Sequence, residues 1–190
     1  IDPKLPYKPE SDFTPVAMIG RGPLLLVTNK ALGAKSVADL PKIAKTREGG
    51  INYCSAGAGS INHLSGELFR QQATLPMTHV PFKGSGPAAL ELLAGRVDAF
   101  FATVPTILPH LKTGKLELLA VTSAQRSSLF PQVPTMAEAG IKGYDVTTWW
   151  GVLAPAGVSP EIVNQLNQAV NAAAAAEPVR SRLKHEGATP

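Results

Sequence analysis

The run Ile51-Asn-Tyr-Cys-Ser-Ala-Gly-Ala-Gly-Ser60 constrains this chain most, because it reads as a strand, a glycine loop and a helix start in immediate succession. Gly57 and Gly59 permit backbone conformations closed to residues with a Cβ, and they let a ligand approach closely. Ser60 is a good N-cap. The helix expected behind it, with His63, Leu64, Leu68 and Phe69, turns its free N–H groups and the positive end of its dipole toward the loop. Such a corner suits a carboxylate, a phosphate or a sulfate and needs no charged side chain.

The same unit recurs along the chain. Met77 to Pro81 reads as a strand that leads into Phe82-Lys-Gly-Ser-Gly-Pro87, where Pro87 suits the first turn of a helix running to Ala94. Arg96 to Phe101 reads as an apolar strand carrying Asp98, Thr103 to Lys112 as a short helix with Pro105 in its first turn, and Leu116 to Thr122 as a buried strand. Upstream, Ile1 to Phe13 is expected to be an extended arm. Thr14 to Gly20 and Leu24 to Thr28 are expected to be two short strands split by glycine and proline. Ser36 is expected to cap a helix through about Arg47. Downstream, Thr135-Met-Ala-Glu138 fits a capping box with Gly140 as the helix end. Tyr144 to Leu153 alternates as a strand, Ser159 starts a strong helix, and a second helix is expected from Glu177 to Glu186. Alternating strands and helices argue for an α/β protein with largely parallel sheets. In such sheets ligands bind beyond the carboxyl ends of strands, so the corners after Cys54 and after Pro81 are expected to converge on one crevice.

Composition narrows the function classes. The 190 residues are 44% hydrophobic and 17% charged, the balance of a globular chain. No apolar stretch approaches the roughly 20 residues that cross a bilayer. Ile1-Asp2-Pro3-Lys4 lacks the pattern of a secretory leader, which leaves a cytoplasmic protein, a mature exported protein and a fragment all open. The single cysteine, Cys54, excludes an internal disulfide and a cysteine-based zinc site. The net charge of +4 comes from scattered Lys and Arg with no basic stripe or nucleic-acid module, so no nucleic-acid partner is expected.

The candidate chemistry is sparse. Cys54 beside the loop invites a nucleophile reading with His63 or His79 as base, but a cysteine ending an apolar strand is more often a small buried residue. His63, His79, His110 and His185 show no metal-ligand spacing. Asp98 fits a general base, a ligand for an ammonium group or a cap for a neighbouring loop, the structural role ranking first. The loop is no P-loop, and it lacks the third glycine of a dinucleotide fingerprint. No metal or cofactor is expected.

Tyr53-Cys-Ser-Ala-Gly-Ala-Gly-Ser60, His63-Leu64, Glu67-Leu-Phe69, His79-Val-Pro-Phe-Lys-Gly84, Gly95-Arg-Val-Asp98, Leu119-Ala-Val-Thr122, Pro131-Gln-Val-Pro-Thr135, Trp150-Gly151 and Leu153-Ala-Pro-Ala-Gly157 closely resemble the Bug family, the substrate-binding receptors of tripartite tricarboxylate transporters. The resemblance keeps its order over nearly the whole chain. It implies a periplasmic-binding-protein-like (type II) α/β lobe with a mostly parallel sheet flanked by helices, plus an incomplete second lobe. It also implies a periplasmic location, a small carboxylate as ligand, membrane transporter subunits as partners, and no covalent chemistry. Carried over by motif, Ser55, Gly57, Ala58, Gly59 and Ser60 form the carboxylate cradle. Lys83 adds long-range attraction beside Gly84, and Asp98 orients a loop or meets an amino group.

Against the family pattern, roughly the first third of the mature chain is missing, and the usual C-terminal tail is expected to be cut soon after Pro190. The expected organisation is therefore residues 1–28 as a remnant of the first lobe with a hinge strand, 29–146 as the complete second lobe, and 147–190 as a hinge strand with first-lobe helices. The remnants are expected to expose apolar surface and to drive a homodimer. An α/β enzyme on a carboxylated or phosphorylated metabolite, or a sensing module presenting a carboxylate to a partner protein, are the competing readings.

Overall fold

The run Leu24-Leu-Leu-Val27 has no polar alternation, and a strand of that kind has to be covered on both faces. In the computed structural model, which describes residues 5–189, the run lies in β1 (Phe13–Asn29) and all four side chains are fully buried. The chain divides into two units, one of Pro23–Thr148 and the other of the described residues up to Gly22 and from Trp149 onward.

The Pro23–Thr148 unit contains α1 (Leu40–Thr46), β2 (Ile51–Ser55), α2 (Ile61–Ala73), β3 (Met77–Pro81), α3 (Ser85–Leu93), β4 (Ala99–Thr103), α4 (Val104–Leu111) and β5 (Leu116–Val121). Its strands lie in the order β3-β2-β4-β1-β5. β2 is parallel to β3 and β4, whereas β1 is antiparallel to β4 and β5. The sheet is thus mostly parallel in strand direction, as expected, with one strand opposed. β2 to β5 run one way, and β1, which no crossover helix precedes within the unit, is inserted against them.

Strand alternation sorts the core onto two faces. Leu24, Leu26, Tyr53, Ala99 and Phe101 pack with Leu40, Ala44, Phe69 and Tyr144. Leu25, Val27, Cys54, Phe100 and Ala102 pack with Ala88, Ala89 and Leu92 of α3 and with Val104 and Ile107 of α4. Close approach between α2 and β2 depends on Gly66, where an added Cβ would sit 2.1 Å from Cε2 of Tyr53.

In the other unit, β1 pairs with β6 (Thr147–Pro155), and α5 (Pro160–Ala175) and α6 (Glu177–His185) follow. Asn167 Nδ2 donates to the carbonyl of Val16 at 2.6 Å, and Ser159 caps α5 by accepting from Ile162 N–H at 3.4 Å. Met18 and Trp149 are 60% and 58% exposed, and Leu153, Ile162 and Leu166 are exposed with them.

Several sequence expectations are corrected. The glycines at 20 and 22 do not split β1. They let its backbone run close to residues 187–189, where a Cβ on Gly22 would meet the Gly187 carbonyl oxygen at 2.9 Å and Arg21 exchanges two 2.9 Å backbone bonds with Thr189. β4 begins at Ala99 rather than Arg96, because Asp98 is held by bonds outside the strand, described below. The capping box forms, with Thr135 N–H donating to Glu138 at 2.8 Å and Glu138 N–H to Thr135 Oγ1 at 3.0 Å. It closes a single turn and no helix, with Glu138 also drawn to Arg126 at 2.8 Å. Tyr144 is a core residue, and the strand expected from it starts at Thr147. The first four residues of the expected extended arm lie outside the described residues.

Candidate functional site

β2 ends at Ser55, and the chain turns through Ala56–Gly59 into α2. Gly57 and Gly59 take φ of 136° and 79°, which side chains with a Cβ rarely adopt. The turn is closed on the Gly57 carbonyl, which accepts from Ser55 Oγ at 3.0 Å, Ser60 Oγ at 2.7 Å and Ser60 N–H at 3.2 Å. Ser60 caps α2 by accepting from His63 N–H at 3.3 Å. Among the described residues no protein acceptor takes the N–H of Ala58, Ile61 or Asn62. The loop therefore offers unfilled backbone donors at the positive end of a helix.

The second corner lies against the first. Phe82 N–H donates to the Ser55 carbonyl at 3.1 Å, and Gly84 N–H donates to the Ala56 carbonyl at 3.1 Å. The first N–H groups of α3, at Ser85 and Gly86, are likewise without a protein acceptor among the described residues. Lys83 projects from this loop as an exposed cation. β4 supplies a third corner, where Thr103 and Thr106 hydroxyls meet at 2.8 Å. Asn62 pins α2 to it by donating to the Phe101 carbonyl at 2.6 Å.

The structure thus brings together Ser55, Gly57, Ala58, Gly59, Ser60, Lys83 and Gly84. Asp98 is not among them. It precedes β4 at the opposite end of the strands, where its carboxylate pairs with Arg47 at 2.8 Å and accepts from Asn52 N–H at 2.8 Å. Of its three sequence readings, the geometry is that of a cap.

Cys54 points away from the loop into the α3 side of the core. Burial pushes its thiol up to about 12, and its sulfur contacts the Ala88 carbonyl at 3.6 Å, so the nucleophile reading has no thiolate to work with. Among the described residues no group of three His, Cys, Asp or Glu side chains is placed to hold a metal. A groove of about 640 Å³ lies elsewhere, along β5 between Lys35, Leu118, Phe130 and Val133. Glu138, at its rim, is already engaged by Arg126 and Thr135.

Two residues of the loop's support were weighed from sequence only as a base for Cys54 or as metal ligands, and not as partners of the loop. His79 on β3 lies opposite Tyr53 in the register, and its Nε2 is 2.6 Å from Ser55 Oγ. His63, in the first turn of α2, stacks on His79 with centroids 3.9 Å apart, and its Nδ1 accepts from Gly59 N–H at 3.0 Å. Burial, and then the neighbouring His63, hold the His79 imidazole below its usual range. Beneath the pair, Tyr53 donates to Glu67 at 2.6 Å, and Glu67 also binds Arg70 at 2.7 Å. Burial raises the Tyr53 hydroxyl, while the bond from Arg70, followed by that from Tyr53, lowers Glu67. Strand alternation places 53, 55 and 79 on one face; the β2–β3 register that brings them together was the missing signal.

A mixed sheet in this order, with its strand-to-helix corners gathered at one rim, is an α/β lobe that this chain shares with solved periplasmic binding proteins. The R. palustris protein Rpa4515, solved with adipate, superposes with a TM-score of 0.89 at 39% identity, over 100% of this chain and 64% of that one. MatC (Rpa3494) from Rhodopseudomonas palustris, solved with bound malate, gives 0.85 at 36% identity, over 98% and 63%. Residues 1–190 match the tripartite tricarboxylate transporter family receptor (TctC), and the chain belongs to that family, one of receptors and not of enzymes. Protein BugT of Bordetella pertussis is 40% identical over 188 residues, which are 99% of this chain and 58% of that protein. The chain spans a little over half the length of such relatives.

Proposed function

We propose that this chain is the ligand-gripping part of a periplasmic receptor that captures a small carboxylate for a tripartite transporter. Residues 29–146 are assigned as the complete lobe and the flanking segments as parts of the other. Ser55, Gly57, Ala58, Gly59 and Ser60 form the cradle, with Gly84 at its side and Lys83 attracting the anion from a distance. The observation that carries this reading is the pair of adjoining helix starts whose backbone N–H groups lack protein acceptors, in a chain whose structural neighbours were solved with adipate and malate. Backbone donors at a helix start favour a carboxylate without burying a cation against it. We extend the proposal to self-association through the unit that exposes Met18, Trp149 and Leu153, since apolar patches of this kind mark interaction surfaces.

The test is amide-shift mapping of the isotope-labelled chain with adipate, malate and inorganic phosphate. Adipate or malate is expected to move the amides of residues 56–62 and 83–86. Gly59→Val, which forces a branched side chain into a left-handed backbone, is expected to abolish the shifts. Indifference of those amides to both acids, or binding that survives Gly59→Val, refutes the cradle. A concentration-independent monomer mass refutes the association.

A further inference from the structure

The bond from Gly59 N–H to His63 Nδ1 at 3.0 Å means that one donor of the proposed cradle is already occupied, and by a titratable acceptor. For Nδ1 to accept, its lone pair must be free, so the ring is neutral with its hydrogen on Nε2. A carboxylate oxygen taking the Gly59 N–H would evict that lone pair and leave two acceptors facing each other. A hydrogen on Nδ1 removes the conflict, because the ring then donates to the anion; when Nε2 keeps its own hydrogen the ring becomes imidazolium, whose charge the bound carboxylate favours over the neutral Nδ1–H tautomer.

We propose that His63 is a proton-linked latch on the loop: the neutral ring holds the Gly59 amide in the empty chain, and carboxylate capture takes up one proton from solvent onto His63 Nδ1. This deepens the carboxylate reading above and rests on it. The charged and titratable groups around the ring set which imidazole takes the proton. From β3 comes His79, stacked at 3.9 Å and tied to Ser55 Oγ at 2.6 Å. From α2 itself come Glu67, whose charge favours a cation nearby, and Arg70, which Glu67 already binds. From β2 comes Tyr53, stacked on His79 at 5.1 Å and bonded to Glu67. The 56–60 loop adds no titratable side chain, and Lys83 on the second loop is exposed. Burial disfavours the charged form of His79. Two imidazolium rings in that stack would repel, so a single proton is taken up. His63, open to the loop, is the site left for it.

The experiment uses the isotope-labelled 190-residue chain with adipate and malate as probes, between about pH 6 and about pH 8, a range in which imidazole titrates and the acids stay ionised. Ring nitrogen shifts of the ligand-free chain at the higher pH are expected to show His63 as the Nε2–H tautomer. The adipate dissociation constant is expected to fall by about tenfold or more from the higher to the lower pH. Calorimetry in two buffers of different ionisation heat is expected to report proton uptake. H63Q is expected to flatten the pH dependence to within about twofold, whereas H79Q retains it. An Nδ1–H tautomer in the empty chain, an equal constant at both pH values, or a pH dependence that persists in H63Q overturns the latch and leaves the carboxylate cradle standing. Silence of the residue 56–62 amides toward both acids at both pH values overturns the cradle, and the latch with it. The tautomer measurement needs no variant, so a misfolded H63Q does not shield the proposal.

Discussion

Replacing Gly66 by alanine joins the packing of the sheet to the geometry of the loop. In an exposed helix interior the change would favour folding by about 0.8–1 kcal/mol, because glycine loses more backbone entropy. Here the new Cβ would lie 2.1, 2.6 and 2.7 Å from Cε2, Cδ2 and Cζ of Tyr53, well inside contact distance for three ring atoms at once. The ring has little room to retreat. It is fully buried, its hydroxyl is bonded to Glu67 at 2.6 Å, and His79 is stacked 5.1 Å away. Overpacking of this kind costs about 1–3 kcal/mol, and a clash with a boxed-in aromatic belongs at or above the upper end. After the helix gain is subtracted, a loss of about 2 kcal/mol is expected, equivalent to a fall in thermal midpoint of roughly 4–8 °C. The displacement also passes through His79 to Ser55, so the amides of Gly57 and Gly59 are expected to shift in the nitrogen–proton spectrum. Gly86→Ala is the control, since nothing lies within 4 Å of its added Cβ, and it is expected to leave the midpoint unchanged or raise it. A Gly66→Ala chain as stable as its parent, with loop amides unmoved, would refute the reasoning.

Three further perturbations separate the parts of the structure. Because the folded His79 binds its proton less readily than the unfolded chain does, the unfolded state gains protons first as pH falls below the ordinary imidazole value of about 6.5. His79 therefore destabilises the fold on the acid side and contributes nothing above that range. Urea midpoints of His79→Asn are expected to decline less than those of the parent between about pH 7.5 and about pH 5, and a parallel decline would count against the half-buried neutral imidazole. Asp98→Ala removes the acceptor of Asn52 N–H and the partner of Arg47; it is expected to cost about 1–3 kcal/mol of stability. Adipate binding measured by the same amide shifts is expected to stay put, so a lost affinity with stability unchanged would restore Asp98 to the site. The Cys54 thiol, buried and pushed up to about 12, is expected to resist a disulfide reagent in buffer and to react at once in urea. Fast reaction of the folded chain would show an open or activated thiol.

The elements that sequence marks most clearly are those where local and tertiary demands coincide. The α2 start is readable at Ser60 because a cap residue, two glycines and a 3.6-residue apolar period agree there. β3 was legible to the residue, since Pro76 and Phe82-Lys-Gly84 bracket a short apolar run. Where a second segment changes the meaning of a residue, local reading fails. Gly20 and Gly22 read as punctuation, yet they are there for the approach of residues 187–189 along the chain's far end. Thr135 and Glu138 make the bonds of a helix start, but the chain behind them turns at Gly140 and runs on to the buried Tyr144. The Tyr144 hydroxyl binds the Ser65 carbonyl at 2.8 Å, and no local propensity announces that demand.

The candidate site shows the same division at finer scale. A glycine loop before a capped helix is a backbone device, and backbone devices are written in consecutive residues. Ser55 through Ser60 were therefore legible as a glycine turn from strand to capped helix. The side chains that hold the corner come from elsewhere. His79 reaches Ser55 only because β3 pairs with β2 in the register that sets Tyr53 opposite His79, and a slip of one residue would send it to the α3 face. His63 reaches Gly59 only because Ser60 ends the loop where it does, which puts position 63 in the first turn of α2 above His79. Asp98, ranked first as a structural cap and carried to the ligand only by motif, shows the converse. It sits in the right sheet beside the right strand, but parallel pairing of β2 with β4 aligns Tyr53 with Ala99, so Asp98 falls at the end of the strands away from the loop. Chemistry assigned from residue type has to be checked against strand direction: in a parallel sheet, the residue that begins one strand and the loop that ends its neighbour lie a full strand length apart.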